Sequence, residues 1–442
     1  MGSFSRRAFL SSAGAATVYQ LVPRAQAQSG RVGPNDTIRL GHIGVGVQGS
    51  GLLDEFKVIP GVKPTIAADL YDGYLLHAKE ATKNTIETTK DYRTVLDRKD
   101  IDAVVIAVPD HLHCHMVLDA LDAGKHVYIE KPLTWALSEG NAIIRAEKNS
   151  GKLLQVGSQA KSSTLTAKAK QLIKDGTLGK VTMVRMSNNR NSAEGAWRYP
   201  IPPDASTTTV DWPRFLGHYP GRPFDPEVFF RWRCWWEYSG GVATDLFVHL
   251  LTHMNEVMDA PAPKSVVSQG GLYRWRDGRT VPDVMNSLFE YEEGFVIDMY
   301  VNLNCSRAGE PPTIMGDKGT MVFDRGKLVV YPAPVEEEAQ RYGSRAWPKA
   351  MRDEYLRKHG VAVGASGEQF PERALPKQQI VDVAEGPSHT EHFILSLRNG
   401  KPSVEDATAG HLAAAGAHLA NMAFREDCKV SWDRISGAVT RS

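Results

Sequence analysis

A glycine-rich turn, Gly44-Val45-Gly46-Val47-Gln48-Gly49, separates an apolar run from a helical pattern near the start of the chain. Glycines at this spacing let the backbone turn tightly and approach a phosphate, which the positive end of the following helix stabilises. Asp69 lies twenty residues after Gly49, where the second apolar run ends. An acidic residue at that place can bind a ribose hydroxyl, so the pattern predicts a dinucleotide site.

The residues that follow Asp69 favour one of the two nicotinamide dinucleotides. Leu70 and Tyr71 come next, and neither can neutralise a 2′-phosphate placed against the carboxylate. The sequence therefore favours NAD as the cofactor over NADP. A glycine-rich turn that binds no nucleotide is the alternative interpretation.

Apolar runs alternate with helical patterns as far as Gly157, which is typical of strand–helix–strand units. The run from Ala103 to Val108 has the length and composition of a buried parallel strand. The chain is therefore predicted to be α/β, with a Rossmann domain, a doubly wound parallel sheet, over residues 36–157. Longer strands follow, so residues 158–442 are predicted to form an α+β domain with a large, mostly antiparallel open sheet. Within it, residues 332–387 are expected to form a surface excursion.

Composition excludes several classes of partner. Among 442 residues, 52 are Lys or Arg and 51 are Asp or Glu, so no net field attracts nucleic acid. No apolar run is long enough for a membrane span. The cysteines are far apart and fit free thiols better than a disulfide framework or a metal site; they are Cys114, Cys234, Cys305 and Cys428.

The first 27 residues have the three parts of an export signal. Arg6-Arg7 precedes a weakly apolar stretch, and Ala25-Gln26-Ala27 resembles a cleavage site. This predicts a twin-arginine signal peptide, the twin-arginine machinery as a partner, and a periplasmic or otherwise exported protein. A disordered tail is the alternative. Because no free pool of NAD exists outside the cytoplasm, we expect the cofactor to be tightly bound.

Several motifs, in order along the chain, carry a resemblance to a known family. The segment Ala123-Gly124-Lys125-His126-Val127 runs into Tyr128-Ile129-Glu130-Lys131-Pro132. Pro109-Asp110-His111-Leu112-His113 precedes it, and Asp245-Leu246-Phe247-Val248-His249 follows Gly240-Gly241. Together with Gly316-Asp317-Lys318-Gly319-Thr320, they resemble the Gfo/Idh/MocA family of sugar and polyol oxidoreductases, of the glucose–fructose oxidoreductase and inositol dehydrogenase kind. Asp110 stands where asparagine is commoner in that family.

The resemblance implies that Lys131, Asp245 and His249 converge on the nicotinamide ring. Alcohol oxidation needs a base for the hydroxyl proton, for which His249 is suited, and a donor to the substrate oxygen, for which Lys131 is suited. Asp245 precedes His249 by one helical turn and is expected to orient the substrate or the histidine. The cofactor contacts implied are Pro109, His113, Glu130 and Lys131.

Each of these residues has a structural alternative. Glu130 and Lys131 could form a surface ion pair, Asp245 could stabilise a helix terminus, and His249 could be a core histidine. Asp245, His249, His253 and Glu256 also recur at helical spacing, but Leu250 replaces the glutamate that a zincin motif needs, so we predict no metal.

Aromatic and basic residues near the catalytic motif are candidates for sugar binding. Flat rings stack on sugars, while core packing is the alternative for each ring. The substrate candidates are Arg190, Trp197, Trp232, Trp236 and His253.

These features predict an exported oxidoreductase that transfers a hydride between bound nicotinamide and a sugar or polyol hydroxyl or carbonyl group. An NAD-dependent glycoside hydrolase, which oxidises a sugar transiently, eliminates the aglycone and returns the hydride, is the second hypothesis. A non-catalytic sensor of sugar or nucleotide is the third. The family resemblance also implies a homo-oligomer.

Overall fold

The computed structural model describes residues 37–217, 219, 221–334, 342–360 and 376–442. The predicted signal peptide and part of the predicted excursion lie outside these residues. Within them, one six-stranded parallel sheet and one ten-stranded mixed sheet organise the chain, which confirms the predicted fold class.

The first sheet is the Rossmann sheet, in which every neighbouring pair of strands is parallel. Its strand order is β3-β2-β1-β4-β5-β6, so the order in which strands are added reverses between β1 and β4. The elements are β1 Ile38–Ile43, α1 Val47–Phe56, β2 Val62–Ala68, α2 Asp72–Ala81, β3 Glu87–Thr89, α3 Tyr92–Leu96, β4 Ala103–Ile106, α4 His113–Asp122, β5 His126–Glu130, α5 Gly140–Ser150 and β6 Leu154–Gly157.

The second sheet has the order β14-β13-β12-β11-β7-β10-β9-β8-β15-β16, and only β7 and β10 pair in parallel among the described strands. Its elements are α6 Thr164–Lys174, β7 Val181–Asn189, α7 Trp212–Leu216, α8 Pro226–Phe230, a π-helical turn Ala243–Phe247, α9 Val248–Met258, β8 Ser265–Gly271, β9 Val284–Glu290, β10 Val296–Asn302, β11 Thr313–Gly316, β12 Gly319–Asp324, β13 Lys327–Pro332, α10 Lys349–Lys358, β14 Gln379–Val381, α11 His389–Asn399, α12 Ala407–Glu426, β15 Val430–Trp432 and β16 Val439–Arg441.

Local sequence sets the beginnings of the last two long helices. Ser388 and Glu391 form a reciprocal capping box that starts α11. The Asp406 carboxylate accepts a hydrogen bond from the Ala409 amide at the start of α12. These caps fix helices that pack between and against the two sheets.

One face of the large sheet is covered and the other is open. On the covered face the Phe247 and Phe289 rings lie 6.0 Å apart between the π-helical turn and β9. The open face exposes Val267, Leu288, Tyr331 and Ile380, between 39 and 54% each. Strand β14 extends this sheet, so the described part of the predicted excursion includes an edge strand.

Helix α11 lies in the C-terminal half of the sequence yet covers the Rossmann sheet. The Phe393 ring is 6.2 Å from Phe56 on α1 and 5.6 Å from Tyr128 on β5. One segment of the predicted C-terminal domain, α11, therefore packs on the Rossmann domain that was predicted to end at residue 157. Among the described helices, none is both long and apolar enough to cross a bilayer.

Candidate active site

A cavity of about 490 Å³ lies at the carboxyl edge of the Rossmann sheet. Its wall runs from the glycine-rich turn to Lys131, Asp245 and His249, which come from distant parts of the chain. In open α/β sheets, ligands bind outside the carboxyl ends of the strands where the strand order reverses. The position therefore fits a dinucleotide whose reactive end reaches these three residues.

The turn before α1 requires glycine at two of its positions. Gly44 has a φ of +85°, and a Cβ there would lie 2.3 Å from the Ala107 carbonyl oxygen. A Cβ on Gly49 would lie 2.1 Å from the Gly44 carbonyl oxygen. No side chain caps the first turn of α1, where Val47 and Gln48 line the cavity, so its amides are available to a pyrophosphate. The residues present fit the predicted cofactor.

Asp69 holds the end of β2 against the glycine-rich turn. Its carboxylate accepts hydrogen bonds from the Val45 amide at 2.8 Å and the Tyr71 amide at 3.0 Å. Burial raises the pKa of Asp69 to about 6, although these amides oppose the shift. The carboxylate lines the cavity with Leu70, and its remaining lone pairs can accept ribose hydroxyls.

Glu130 lies at the end of β5, where two glutamine amides meet it. Gln48 donates to Glu130 Oε1 at 2.9 Å and Gln159 donates to the same oxygen at 3.3 Å. Burial raises the pKa of Glu130 to about 7, despite the opposing charge of Lys131. Glu130 and Lys131 therefore line the cavity, as expected of cofactor contacts, and do not form the surface ion pair that was the structural alternative. Gln159 was not predicted as a site residue because it lies outside every motif.

His113 does not have the position predicted for a cofactor contact. Its ring is 1% exposed, and its nitrogens lie 2.6 Å from the Pro132 carbonyl oxygen and 2.9 Å from that of Val108. Among the described residues of the cavity wall, Pro109 is present and His113 is not. His113 therefore joins the ends of β4 and β5 from behind the site.

Asp245 is the centre of the reactive end of the cavity. Lys131 Nζ lies 2.9 Å from Asp245 Oδ1, and Arg233 Nε lies 3.0 Å from the same oxygen. The Trp197 indole donates to Oδ2 at 3.1 Å. Burial alone would raise the pKa of Asp245, but Lys131 and Arg233 hold it well below the usual range. The carboxylate orients Lys131 and Arg233 rather than the histidine.

His249 faces the same cavity one turn further along the helix. Burial, reinforced by the charge of Lys131, lowers the pKa of His249 to about 3. The imidazole is therefore neutral at pH 7 and has a lone pair with which to accept a proton. No described residue forms a recorded hydrogen bond with its ring, so it is free to meet a substrate.

The predicted substrate residues divide into one that lines the cavity and four that the described wall does not include. Trp232 lines it, while Trp197 is fully buried and acts through Asp245. Trp236 lies under the Arg425 guanidinium, 5.1 Å from the ring centroid, and His253 packs against Phe323. Arg190 donates to Asn188, but its charge lowers the pKa of Asp245 and of His249.

Trp197 has an unusual backbone for its size. Its φ is +61°, in the left-handed region that large side chains rarely adopt. Strain of this kind persists where surrounding contacts demand it. Here the conformation delivers the indole to Asp245, so we interpret Trp197 as a positioning residue.

The cavity wall also contains residues outside the predicted set, and three of them lie near its reactive end. Asp110, Tyr199 and Arg233 all line the wall. The sequence predicts that basic residues of the aromatic segment around Arg233 bind sugar hydroxyls. In the structure Arg233 donates to the carboxylate of Asp245, twelve positions later in the chain. Asp110 is 3% exposed and accepts from Thr244 Oγ1 at 3.2 Å.

The acidic and histidine residues that recur at helical spacing from Asp245 to Glu256 make other contacts. Asp245 binds cations of the protein, and Glu256 pairs with Lys170 at 2.9 Å and with Lys161 at 3.5 Å. Across the part of the chain that the structure describes, no group of three or more His, Cys, Asp or Glu residues could hold a metal ion.

The fold and the site together define an oxidoreductase that uses a nicotinamide dinucleotide. Residues 38–158 match the oxidoreductase family with an NAD-binding Rossmann fold, GFO_IDH_MocA, and residues 170–431 match its C-terminal alpha/beta domain. The chain therefore belongs to the Gfo/Idh/MocA family, which confirms the resemblance, and it is an NAD(P)-dependent oxidoreductase.

Several curated proteins are similar to this chain. Levoglucosan dehydrogenase of Pseudarthrobacter phenanthrenivorans is 25% identical, with 66% of this chain and 74% of that protein covered. Inositol 2-dehydrogenase of Rhodococcus erythropolis is 34% identical over 41% of this chain and 53% of its own length. Glycosyl hydrolase family 109 protein of Shewanella baltica is 30% identical over 34% of this chain and 39% of its own length. The chain thus spans about half or less of the last two.

Solved structures share the fold. Levoglucosan dehydrogenase in complex with NADH and levoglucosan has a TM-score of 0.61 and 19% identity, covering 89% of this chain and 99% of that one. The WlbA dehydrogenase of Bordetella pertussis, in complex with NADH and UDP-GlcNAcA, has a TM-score of 0.63 and 17% identity, covering 90% and 99%. These likenesses concern the fold alone.

Asp110 makes stability depend on pH. Burial raises its pKa to about 7, although Lys131 and Arg233 oppose the shift. A carboxyl whose pKa is raised on folding stabilises the protein below its unfolded pKa, and this contribution is lost as pH rises through the folded pKa. We expect Asp110→Asn to melt like the parent at pH 4 and to be more stable at pH 8, by on the order of 2 kcal/mol.

Thermal unfolding at pH 4, 6 and 8 measures this effect. Asp122→Asn, a change at an exposed position, is the matched control and should give a difference that does not vary with pH. A constant difference for Asp110→Asn as well would show that Asp110 is ionised throughout.

Helix α12 joins the two segments that carry the predicted catalytic residues. Asn421 Nδ2 donates to the Gly240 carbonyl oxygen at 2.8 Å, five residues before Asp245. His418 Nε2 lies 3.0 Å from the hydroxyl of Thr134, three residues after Lys131. Both helix residues are buried, so they fix the separation of Lys131 and Asp245.

We expect Asn421→Leu to lower kcat about tenfold, because it removes the shorter of the two hydrogen bonds to the Gly240 carbonyl oxygen and loosens the Gly240 turn. The nucleotide dissociation constant should change less than twofold, since α12 does not line the cavity among its described residues. Met422→Leu on the same helix is the control. Equal losses in kcat and in nucleotide binding would indicate general destabilisation instead.

Proposed function

We propose that this protein is an exported dehydrogenase that transfers a hydride between tightly bound NAD and a hydroxyl or carbonyl group of a sugar or polyol. The observation that carries the proposal is the meeting of Lys131, Asp245 and His249 in one cavity that begins at the glycine-rich turn. The names of the levoglucosan and inositol dehydrogenases support a sugar or polyol as substrate.

The residues of the chain have distinct roles in this reaction. When bound, the nicotinamide supplies the group that accepts or donates the hydride. Lys131 donates a hydrogen bond to the substrate oxygen and stabilises the negative charge that develops there. His249 accepts the hydroxyl proton during oxidation and returns it during reduction. Asp245 holds the Lys131 ammonium in place, and the Trp232 face supports the sugar ring.

The cofactor preference rests on the end of β2. Asp69 faces the cavity with Leu70 beside it, and a 2′-phosphate would have to displace or protonate this carboxylate. This supports NAD over NADP. Tight binding follows from export, which rests on the sequence of residues 1–27.

An NAD-dependent glycoside hydrolase is the second candidate. The partial match to the family 109 protein supports it, as does Asp110, a second carboxyl in the cavity whose pKa of about 7 suits proton donation to a leaving group. The hydrolase returns the cofactor to its starting state within the site, whereas the dehydrogenase does so only when a second sugar or polyol takes the hydride.

Two measurements on the purified protein test the proposal. Mass spectrometry of the denatured protein should release NAD, and release of no nicotinamide dinucleotide would contradict tight binding. Incubation with free sugars should reduce the bound cofactor, which absorbs near 340 nm once reduced. Release of aglycone from aryl glycosides without added NAD would favour the hydrolase, and sugar binding without turnover in either assay would favour the sensor.

Export and assembly have their own tests. Replacing Arg6 and Arg7 by lysine should retain the protein in the cytoplasm, as judged by cell fractionation, if the twin-arginine signal is used. We also propose a homo-oligomer formed through the open face of the large sheet, where Val267, Leu288 and Tyr331 are exposed. Light scattering coupled to size exclusion measures its mass.

A further inference from the structure

The reactive end of the cavity holds more positive than negative charge. Lys131 and Arg233 both contact one oxygen of Asp245, at 2.9 and 3.0 Å. Arg190, which the described cavity wall does not include, is close enough for its positive charge to lower the pKa of Asp245 and of His249. Three cations therefore stand against one firmly ionised carboxylate.

Two further carboxyl groups of the wall interact with the charge of Lys131, and they do not restore the balance. Asp110 and Glu130 are 3 and 5% exposed, and burial raises the pKa of each to about 7. The neutral forms are therefore substantial at physiological pH. Burial is the main cause of the lowered pKa of His249, and the charges of Lys131, Arg190 and Arg233 lower it further.

Arg233 has donors that the protein leaves unused. Its Nε is committed to Asp245, and among the described residues no acceptor contacts its two terminal nitrogens. The guanidinium carbon lies 4.3 Å from the centre of the Trp232 ring, so its plane is held, and 21% of the side chain is exposed. A fixed guanidinium edge of this kind matches the two oxygens of a carboxylate.

The developing alkoxide accounts for only part of the surplus. In the ground state the three cations leave two positive charges unmatched, and the negative charge that develops on the substrate oxygen during hydride removal matches only one of them. The oxidised nicotinamide ring is itself cationic, so cofactor binding increases the surplus. Buried cations without counter-charges are costly, and a monoanionic substrate removes the cost.

We propose that the substrate is an acidic sugar, a uronic or aldonic acid, whose carboxylate binds Arg233 and Arg190 while its hydroxyl meets Lys131 and His249. This assignment rests on the proposed function and specifies its substrate class.

Matched ligands isolate the charge. We would measure reduction of bound NAD by glucuronate, glucuronamide and glucose, and likewise by galacturonate and galactose, together with gluconate and glucose 6-phosphate. Glucuronate and its amide have nearly the same size, so the ratio of their kcat/KM values reports the carboxylate. We expect at least one acid to exceed its neutral partner by about 100-fold, as befits a charge-assisted bidentate contact.

Variants assign the effect to residues. Arg190→Gln should lower the ratio of acid to neutral sugar about tenfold, mainly through KM for the acid. Arg185→Gln, on β7 five residues earlier and paired with Asp298 at 3.1 Å, should leave that ratio unchanged. An Arg190→Gln ratio equal to that of the parent would overturn the assignment of this arginine to the carboxylate.

The failure of this inference is distinct from failure of the proposed function. Turnover of neutral sugars at or above the rate of every acid, or preference for the phosphate, contradicts the acidic-sugar assignment and leaves the dehydrogenase intact. Absence of hydride transfer from any sugar, acidic or neutral, contradicts both.

Discussion

Replacing Lys131 by methionine is expected to lower kcat/KM for the sugar substrate by about 10³-fold, because it removes the cation that stabilises negative charge on the substrate oxygen. The fold should survive, since Asp245 keeps its contacts with Arg233 and Trp197. Methionine preserves most of the side-chain length without the charge. Hydride transfer is measured as reduction of bound NAD, and nucleotide affinity by quenching of tryptophan fluorescence.

A second measurement on Lys131→Met separates a catalytic loss from a structural one. The charge of Lys131 contributes to the low pKa of His249, after burial. Its removal should raise that pKa toward 6.5, which NMR titration of the imidazole detects. Lys148→Met, on the exposed surface of α5, should change neither activity nor the titration. Activity of Lys131→Met within tenfold of the parent would remove Lys131 from the chemistry.

The sequence predicts the Rossmann half well because its signals are local. The mainly apolar run Val62 to Ala68 ends at Asp69, and the apolar run Ala103 to Val108 lies between Asp102 and Pro109; a strand forms in each. Gly44 and Gly49 are determined by contacts within a few residues of the turn or with the adjacent strand. Such positions can be read from spacing alone.

The sequence does not predict elements whose local signals are weak, nor where a helix packs. β3 consists of Glu87, Thr88 and Thr89, which have no apolar period, and it forms because β2 offers a free edge. Helix α11 has an amphipathic pattern, yet nothing in that pattern says that Phe393 packs on Phe56 more than 300 residues earlier. Tertiary packing decides both.

In the candidate site, the sequence predicts which residues take part but not how their side chains are oriented. Motifs identify Lys131, Asp245 and His249, and the structure brings all three to one cavity. They do not show which way a side chain points. His113 belongs to a motif but turns to two backbone carbonyl groups. Arg233, in a segment that reads equally well as core packing, becomes the second cation on Asp245.

Two glycines of the same helix and its turn offer the sharpest test of the cofactor site. Gly44→Ala places a Cβ 2.3 Å from the Ala107 carbonyl oxygen on a backbone with φ of +85°. The backbone must move at the point where it would approach the pyrophosphate. We expect the free energy of unfolding to fall by about 3 kcal/mol and the dissociation constant for NAD to rise at least tenfold.

Gly51→Ala is the matched control, because it adds the same methyl group to α1. A Cβ there meets no heavy atom within 4 Å, and the residue lies in the interior of the helix. Alanine should therefore increase the free energy of unfolding by about 0.5 to 1 kcal/mol, raise the melting temperature slightly, and leave NAD binding unchanged. Thermal unfolding and titration with NAD after removal of bound nucleotide give both quantities. If the two variants bind NAD equally well, the glycine-rich turn is not where the pyrophosphate lies, and the position of the nicotinamide beside Lys131 loses its physical basis.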